Sequence, residues 1–267
     1  MFSPELLKAR PEVYLRWLRG SLIASYRTDS AEESLAFRES YLRSFGEKEL
    51  PSLGLKENFA QTDNLCRELA RWHGKIVNAS QIARNLKMAD WKVRRYLDFL
   101  PRTLLVRRLE PWQEALSKRQ VKSPKLYFRD SGLVNLLLGL KTEDALLFHP
   151  QKELLWQGFA LEEVLKSWQA GEKGGYFWQT QAGAELPLFL LQENRRLGFE
   201  FQSAGASKVT LSMKIALKDL KLDHLYLIVP GSFTFSLAEK ITVRGIETLE
   251  SFIDLKTHGQ ITFPDIK

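Results

Sequence analysis

Within "ADWKVRRYLDFL" (89–100), apolar side chains fall at Val93, Tyr96, Leu97 and Leu100. That i, i+3, i+4, i+7 spacing makes one buried helical face and leaves Trp91, Lys92, Arg94, Arg95 and Asp98 on the other side. Two shorter helical patterns come before it. "TDNLCRELARWHG" turns Leu65, Leu69 and Trp72 inward and is ended by Gly74. "VNASQIARNLKM" is started by Asn78 as N-cap, with Gln81 three residues on. After it, "TLLVRRLEPW" and "KLYFRD" read as strands joined by "QEALSKRQVKSP". Three short helices and a basic hairpin form the layout of a winged helix, expected over residues 61–129.

Residues 1–60 read as helical with breaks. Leu15, Leu18 and Leu22 are expected on one stripe; Leu35, Tyr41, Leu42 and Phe45 belong to a second helix, with Ser30 and Glu33 as its capping box. Pro51 and Gly54 mark a linker. Beyond 130, "DSGLVNLLLGL" is a short buried helix capped by Asp130 or Ser131. "KELLWQGFALEEVLKSWQAG" is a longer one, followed by strands at "GGYFWQT", "AELPLFLLQE" and "RLGFEFQS". A helix at "VTLSMKIALKDLK" and a strand at "HLYLIVPG" complete an α-β-β-β-α-β order. Residues 130–267 therefore fit a small α/β domain, and the whole chain an α+β fold.

Of 267 residues, 44% are hydrophobic and 27% charged, the balance of a soluble globular protein. No apolar run is long enough to span a bilayer, and charges and prolines interrupt the N-terminus, so neither a membrane partner nor a signal peptide is expected. One cysteine, Cys66, excludes an intramolecular disulfide and suits the cytoplasm. The four histidines are scattered, so no metal is expected. Nor is a cofactor: no G-x-x-x-x-G-K-[ST] loop is present, which leaves ATP binding by this chain without a basis. The net charge of +7 is uneven. Residues 61–130 hold 16 Lys and Arg against 7 Asp and Glu, while the remainder holds 23 against 25. An anionic partner would dock on that central segment, unless the charge serves only as a solvated surface.

Three stretches, "VNASQIARNLKMADWKVRRYLDFLPRTLLVRRLEPW", "KRQVKSPKLYFRDSGLVNLLLGL" and "LLWQGFALEEVL", together resemble the C-terminal half of a prokaryotic AAA-type ATPase family. In that family a P-loop domain precedes a winged helix and a PD-(D/E)-x-K nuclease-like domain of unknown function. The resemblance implies that residues 1–60 are a helical lid remnant, 61–129 the winged helix and 130–267 the nuclease-like, restriction-endonuclease-like domain. It implies also that the nucleotide-binding half is missing: a partner supplies it, the gene is truncated, or the true start lies upstream.

The same resemblance locates a nuclease site and shows it degraded. Such enzymes hold Mg²⁺ with an aspartate on one strand and the glutamate of Glu-x-Lys on the next, because Mg²⁺ demands hard oxygen ligands. Here Glu200 stands in place, Gln202 replaces the lysine and Pro187 replaces the aspartate. Proline supplies no ligand and forces a bulge or an edge. Gln157 occupies one acidic position of the first helix, Glu163 matches a later one, and Glu185 is a relocated acid two residues before Pro187. Lys208 or Lys214 could replace the lost lysine.

The expectation is a non-enzymatic, DNA-binding protein with no cofactor. Lys92, Arg94 and Arg95 would meet a groove, and Lys118, Arg119, Lys122 and Lys125 would hold phosphates. The alternatives are a docking or regulatory partner of a complete ATPase relative, which predicts an exposed apolar surface on residues 1–60, or a Mg²⁺ nuclease with relocated residues.

Overall fold

The computed structural model describes residues 11–249, apart from 56–57, 116–118, 172–173 and 205–207. Helix α1 (Pro11–Arg19) buries Val13, Tyr14, Trp17 and Leu18. The stripe expected from Leu15 and Leu22 is displaced, since the bulkier aromatic rings take the inward positions and both leucines are half-buried. The helix stops at Gly20, whose φ of +85° and close approach to Asp130 (a Cβ would lie 2.2 Å from Oδ1) admit no side chain. A short α2 (Ile23–Tyr26) leads to α3 (Ala31–Ser44), which Ser30 caps by accepting the Glu33 amide at 2.9 Å. A π turn, Phe45–Glu49, continues it.

Next come α4 (Phe59–Arg71), started by a reciprocal Asn58–Gln61 capping box, and β1 (Lys75–Ile76). Helix α5 (Ala79–Leu86) is capped by Asn78, as its sequence predicts, and α6 (Asp90–Phe99) follows. Val93, Tyr96, Leu97 and Leu100 are all buried, so the helical spacing read there is the packed face. Then come β2 (Val106–Pro111) and β3 (Lys125–Phe128), α7 (Ser131–Leu137) capped by Asp130, α8 (Glu143–Leu147) and α9 (Lys152–Ser167). The rest is β4 (Gly175–Gln179), β5 (Glu185–Gln192), β6 (Arg195–Phe201), α10 (Leu211–Asp219), β7 (His224–Val229), β8 (Thr234–Ala238) and β9 (Ile241–Gly245). The hairpin β8–β9 was not among the strands expected.

The result is a mixed α+β fold. Nine strands form one mixed sheet in the order β1-β3-β2-β4-β5-β6-β7-β9-β8. The β1–β3–β2 ribbon is antiparallel and joins the rest through a short parallel pairing, Glu110 with Tyr176 and Pro111 with Phe177. One apolar cluster runs from Val13 to Leu249 and contains residues from all three expected segments. Trp17 of α1 meets Trp156 of α9 edge-on at 5.2 Å, and Arg16 pairs with Glu163 at 2.6 Å in the interior. A second cluster fills the space under α10, around Trp178, Leu186, Phe189 and Met213. Among the described residues, no helix is long and apolar enough to cross a membrane.

Candidate functional site

Helix α6 faces outward with Trp91, Arg94 and Arg95, while Lys92 is half-buried. Arg94 donates to Asp90 at 2.6 Å, and Asp90 also accepts from Ser80 at 2.7 Å. Those two hydrogen bonds, Ser80 first, hold the Asp90 carboxyl below its ordinary range. Arg95 reaches the Gly54 carbonyl at 3.2 Å. Beside the helix lies a cleft of about 220 Å³, lined by Arg94, Leu97 and Asp98 of α6, by Arg108 of β2, and by Ser123 and Pro124 of the β2–β3 connection. Arg119 and Lys122 are exposed on that connection. Its backbone is pinned to the end of β4, with Gln181 N–H donating to Arg119 O and Val121 N–H to Gln179 O, both at 2.9 Å. Lys118 lies outside the described residues.

Lys125 does not join these cations at the surface. Its side chain is 4% exposed, its Nζ sits 2.5 Å from Glu185 Oε1, and it lies 5.0 Å over the Phe177 ring. An ammonium so enclosed has no face for a phosphate, and the expected contact is withdrawn. Beside it, Gln157 Nε2 donates to the Tyr127 hydroxyl at 2.5 Å, and His73 packs edge-on to Tyr127 at 5.4 Å. His73 Nδ1 accepts the Phe128 amide, and burial pushes this imidazole down to about 3. It is a neutral core histidine.

Of the acids named from the nuclease resemblance, the fold brings two within electrostatic reach of each other. Burial, then the Glu185 carboxylate, pushes the Glu200 carboxyl up to about 8, against an opposing pull from Lys125. The partners of Glu163 include Arg16 of α1 at 2.6 Å and Lys166, one turn along its own helix, at 3.1 Å. A carboxylate buried with its own arginine is already neutralised there. Pro187 is buried in β5 where the register against β4 slips between Tyr176 and Trp178, the bulge a strand proline demands. Gln202 is half-buried and donates its backbone N–H to Ile228 O at 3.0 Å; Ser203, next to it, is tied to Glu153 through its amide and hydroxyl. Lys208 and Lys214 are exposed. The lysine that reaches Glu185 is Lys125, sixty residues upstream and invisible to a reading of strand motifs. Among the described residues, no group of three or more His, Cys, Asp or Glu is placed to hold a metal ion.

Residues 10–144, just over half of the chain, match a family described as a domain of unknown function, DUF8612. The chain belongs to the DUF8612 family. Two mycobacterial proteins are similar over a longer stretch: the "Uncharacterized protein Rv2008c" of Mycobacterium tuberculosis and the "Uncharacterized protein Mb2031c" of Mycobacterium bovis. Each is 37% identical over 225 residues, 84% of this chain and 51% of the relative. This DUF8612 chain thus spans about half the length of the curated relatives it matches. No solved structure matches it.

Proposed function

We propose that this DUF8612 protein binds duplex DNA without cleaving it, using α4–α6 and β1–β3 as a winged helix and β4–β7 with α9 and α10 as a degenerate nuclease-like scaffold. The observation that carries this reading is the cleft shared by α6 and the β2–β3 connection. Arg94 lines it from α6, and Lys122 is the exposed neighbour of the lining Ser123. A helix to enter a groove and a cationic loop to follow the phosphates therefore share one face. The non-catalytic half of the reading draws on Glu200 and Glu185. A carboxyl that keeps its proton at neutral pH is a poor ligand for a hard cation, and Glu185 is already occupied by Lys125. Docking to a complete ATPase relative gains no support from residues 11–55, where Ile23 is the large hydrophobic left exposed among those described.

The test is titration into labelled duplex DNA with Mg²⁺ at two salt concentrations, read by anisotropy and then on a gel. DNA should bind, stay intact and release as salt rises, because phosphate contacts expel counterions. Arg94→Ala and Lys122→Ala should each lower the salt slope by about one. A salt-independent dissociation constant would refute the binding surface, and cleaved DNA the inert scaffold.

A further inference from the structure

A second, larger cleft of about 430 Å³ opens where the C-terminal end of α6, strand β2 and strand β4 meet. Four guanidinium groups line it: Arg102, Arg107, Arg108 and Arg129. Nothing in the winged-helix reading uses Arg102, Arg107 or Arg129, which line this cleft and not the one beside α6. The four are held in two different ways. Arg107 is buried and grips Glu162 with two nitrogens, Nε at 2.5 Å and Nη2 at 3.0 Å, and Arg129 Nε lies 3.5 Å from the same carboxylate. Those two form a fixed floor. Arg102 is exposed, lying 4.9 Å over the Phe99 ring, and Arg108 pairs in the open with Asp98 at 3.1 Å and Glu110 at 2.8 Å.

Four guanidiniums against Asp98, Glu110 and Glu162 leave one excess cation. Exposed ion pairs contribute little, so Arg108 can exchange its carboxylates for a better acceptor at little cost. Each guanidinium presents five N–H donors in a planar fork, and the acceptor that several such forks fit together is a tetrahedral phosphate. Tyr176, half-buried in the wall, adds a ring against which a base could lie. We infer that this cleft binds a phosphate ester, held by Arg102 and Arg108 at the mouth over the positive floor that Arg107 and Arg129 provide. The ester can be a small nucleotide-like compound or the terminal phosphate of a nucleic acid.

Calorimetric titration of the full chain with inorganic pyrophosphate, then with a 5′-phosphorylated tetranucleotide and its unphosphorylated twin, tests the inference. Pyrophosphate should bind, and Arg102→Ala, an exposed position whose loss leaves the core intact, should weaken it by about tenfold or more. Arg129→Ala should do the same from the floor, with thermal unfolding checked for both variants. Lys122→Ala should leave pyrophosphate affinity unchanged even where it lowers duplex affinity, so failure of the DNA surface and of this cleft are read separately. A phosphorylated tetranucleotide that binds more tightly than pyrophosphate and its unphosphorylated twin assigns the cleft to nucleic-acid ends. Equal or tighter binding of pyrophosphate assigns it to small phosphate compounds. No heat with millimolar pyrophosphate, or affinity unchanged in both arginine variants, overturns the inference.

Discussion

Glu200 couples folding to pH in a definite direction. Unfolded, its carboxyl titrates at the ordinary value of 4.5; folded, burial and the neighbouring Glu185 hold the proton until about 8. Between those values the folded chain binds a proton that the unfolded chain has lost. The contribution of Glu200 to stability is then fully present below about pH 4.5 and is given up as pH rises through 8, by an amount on the order of a few kcal/mol. Glu200→Gln removes the titration. Urea midpoints at about pH 5 and pH 9 should therefore fall less in the variant than in the natural protein; equal falls would place the pH dependence elsewhere. The same residue marks how far the sequence could be read. Glu200, Gln202 and Pro187 could be compared with a nuclease pattern in sequence because each either is or is not a ligand or a cation. Lys125 could not be recognised, since a lysine in a basic hairpin looks solvated until the sheet folds it onto Glu185.

At the scale of elements, α1 and α7 cross so closely that a glycine sits between them. A Cβ at Gly132 would lie 2.1 Å from the Arg19 carbonyl oxygen, a backbone atom that cannot swing aside. Hydrogen bonds seal the crossing, from Asn135 Nδ2 to Trp17 O at 2.8 Å and from Arg38 Nη1 to Gly132 O at 3.0 Å. Gly132→Ala should cost about 1–3 kcal/mol by forcing the helices apart, measurable as a lower denaturation midpoint with unchanged m. A shift of only a few tenths would mean that α1 lifts away freely. The helix over "DSGLVNLLLGL" was legible from its cap and apolar run, but the reason for its glycine was not, because the clashing atom lies over a hundred residues earlier. The face of α1 was misjudged for a related reason. Periodicity ranks leucines alike, whereas Trp17 packs edge-on against Trp156 of α9 and Tyr14 tilts against Trp17. Strands β8 and β9 do carry the alternation, Phe235 and Leu237 in one and Ile241 and Val243 in the other, and were legible although not among the strands expected.

Over the whole molecule, the three expected segments share one apolar cluster, and the second and third also share one sheet. Turn residues and charge runs suggested the boundaries, yet they report where the chain bends, not where packing stops. Heating should therefore give one cooperative transition, with calorimetric and van't Hoff enthalpies in agreement. Two resolved transitions would show that a segment folds on its own. The parallel pairing of β2 with β4 carries that unity into the history of the gene. Glu110 and Pro111 form their ladder with Tyr176 and Phe177 across a gap of more than sixty positions. A recombination event that joined the helical half of one relative to the sheet half of another would have to preserve that seam on both sides at once. Halves taken from two lineages would have to meet in that register for the single sheet to stay continuous.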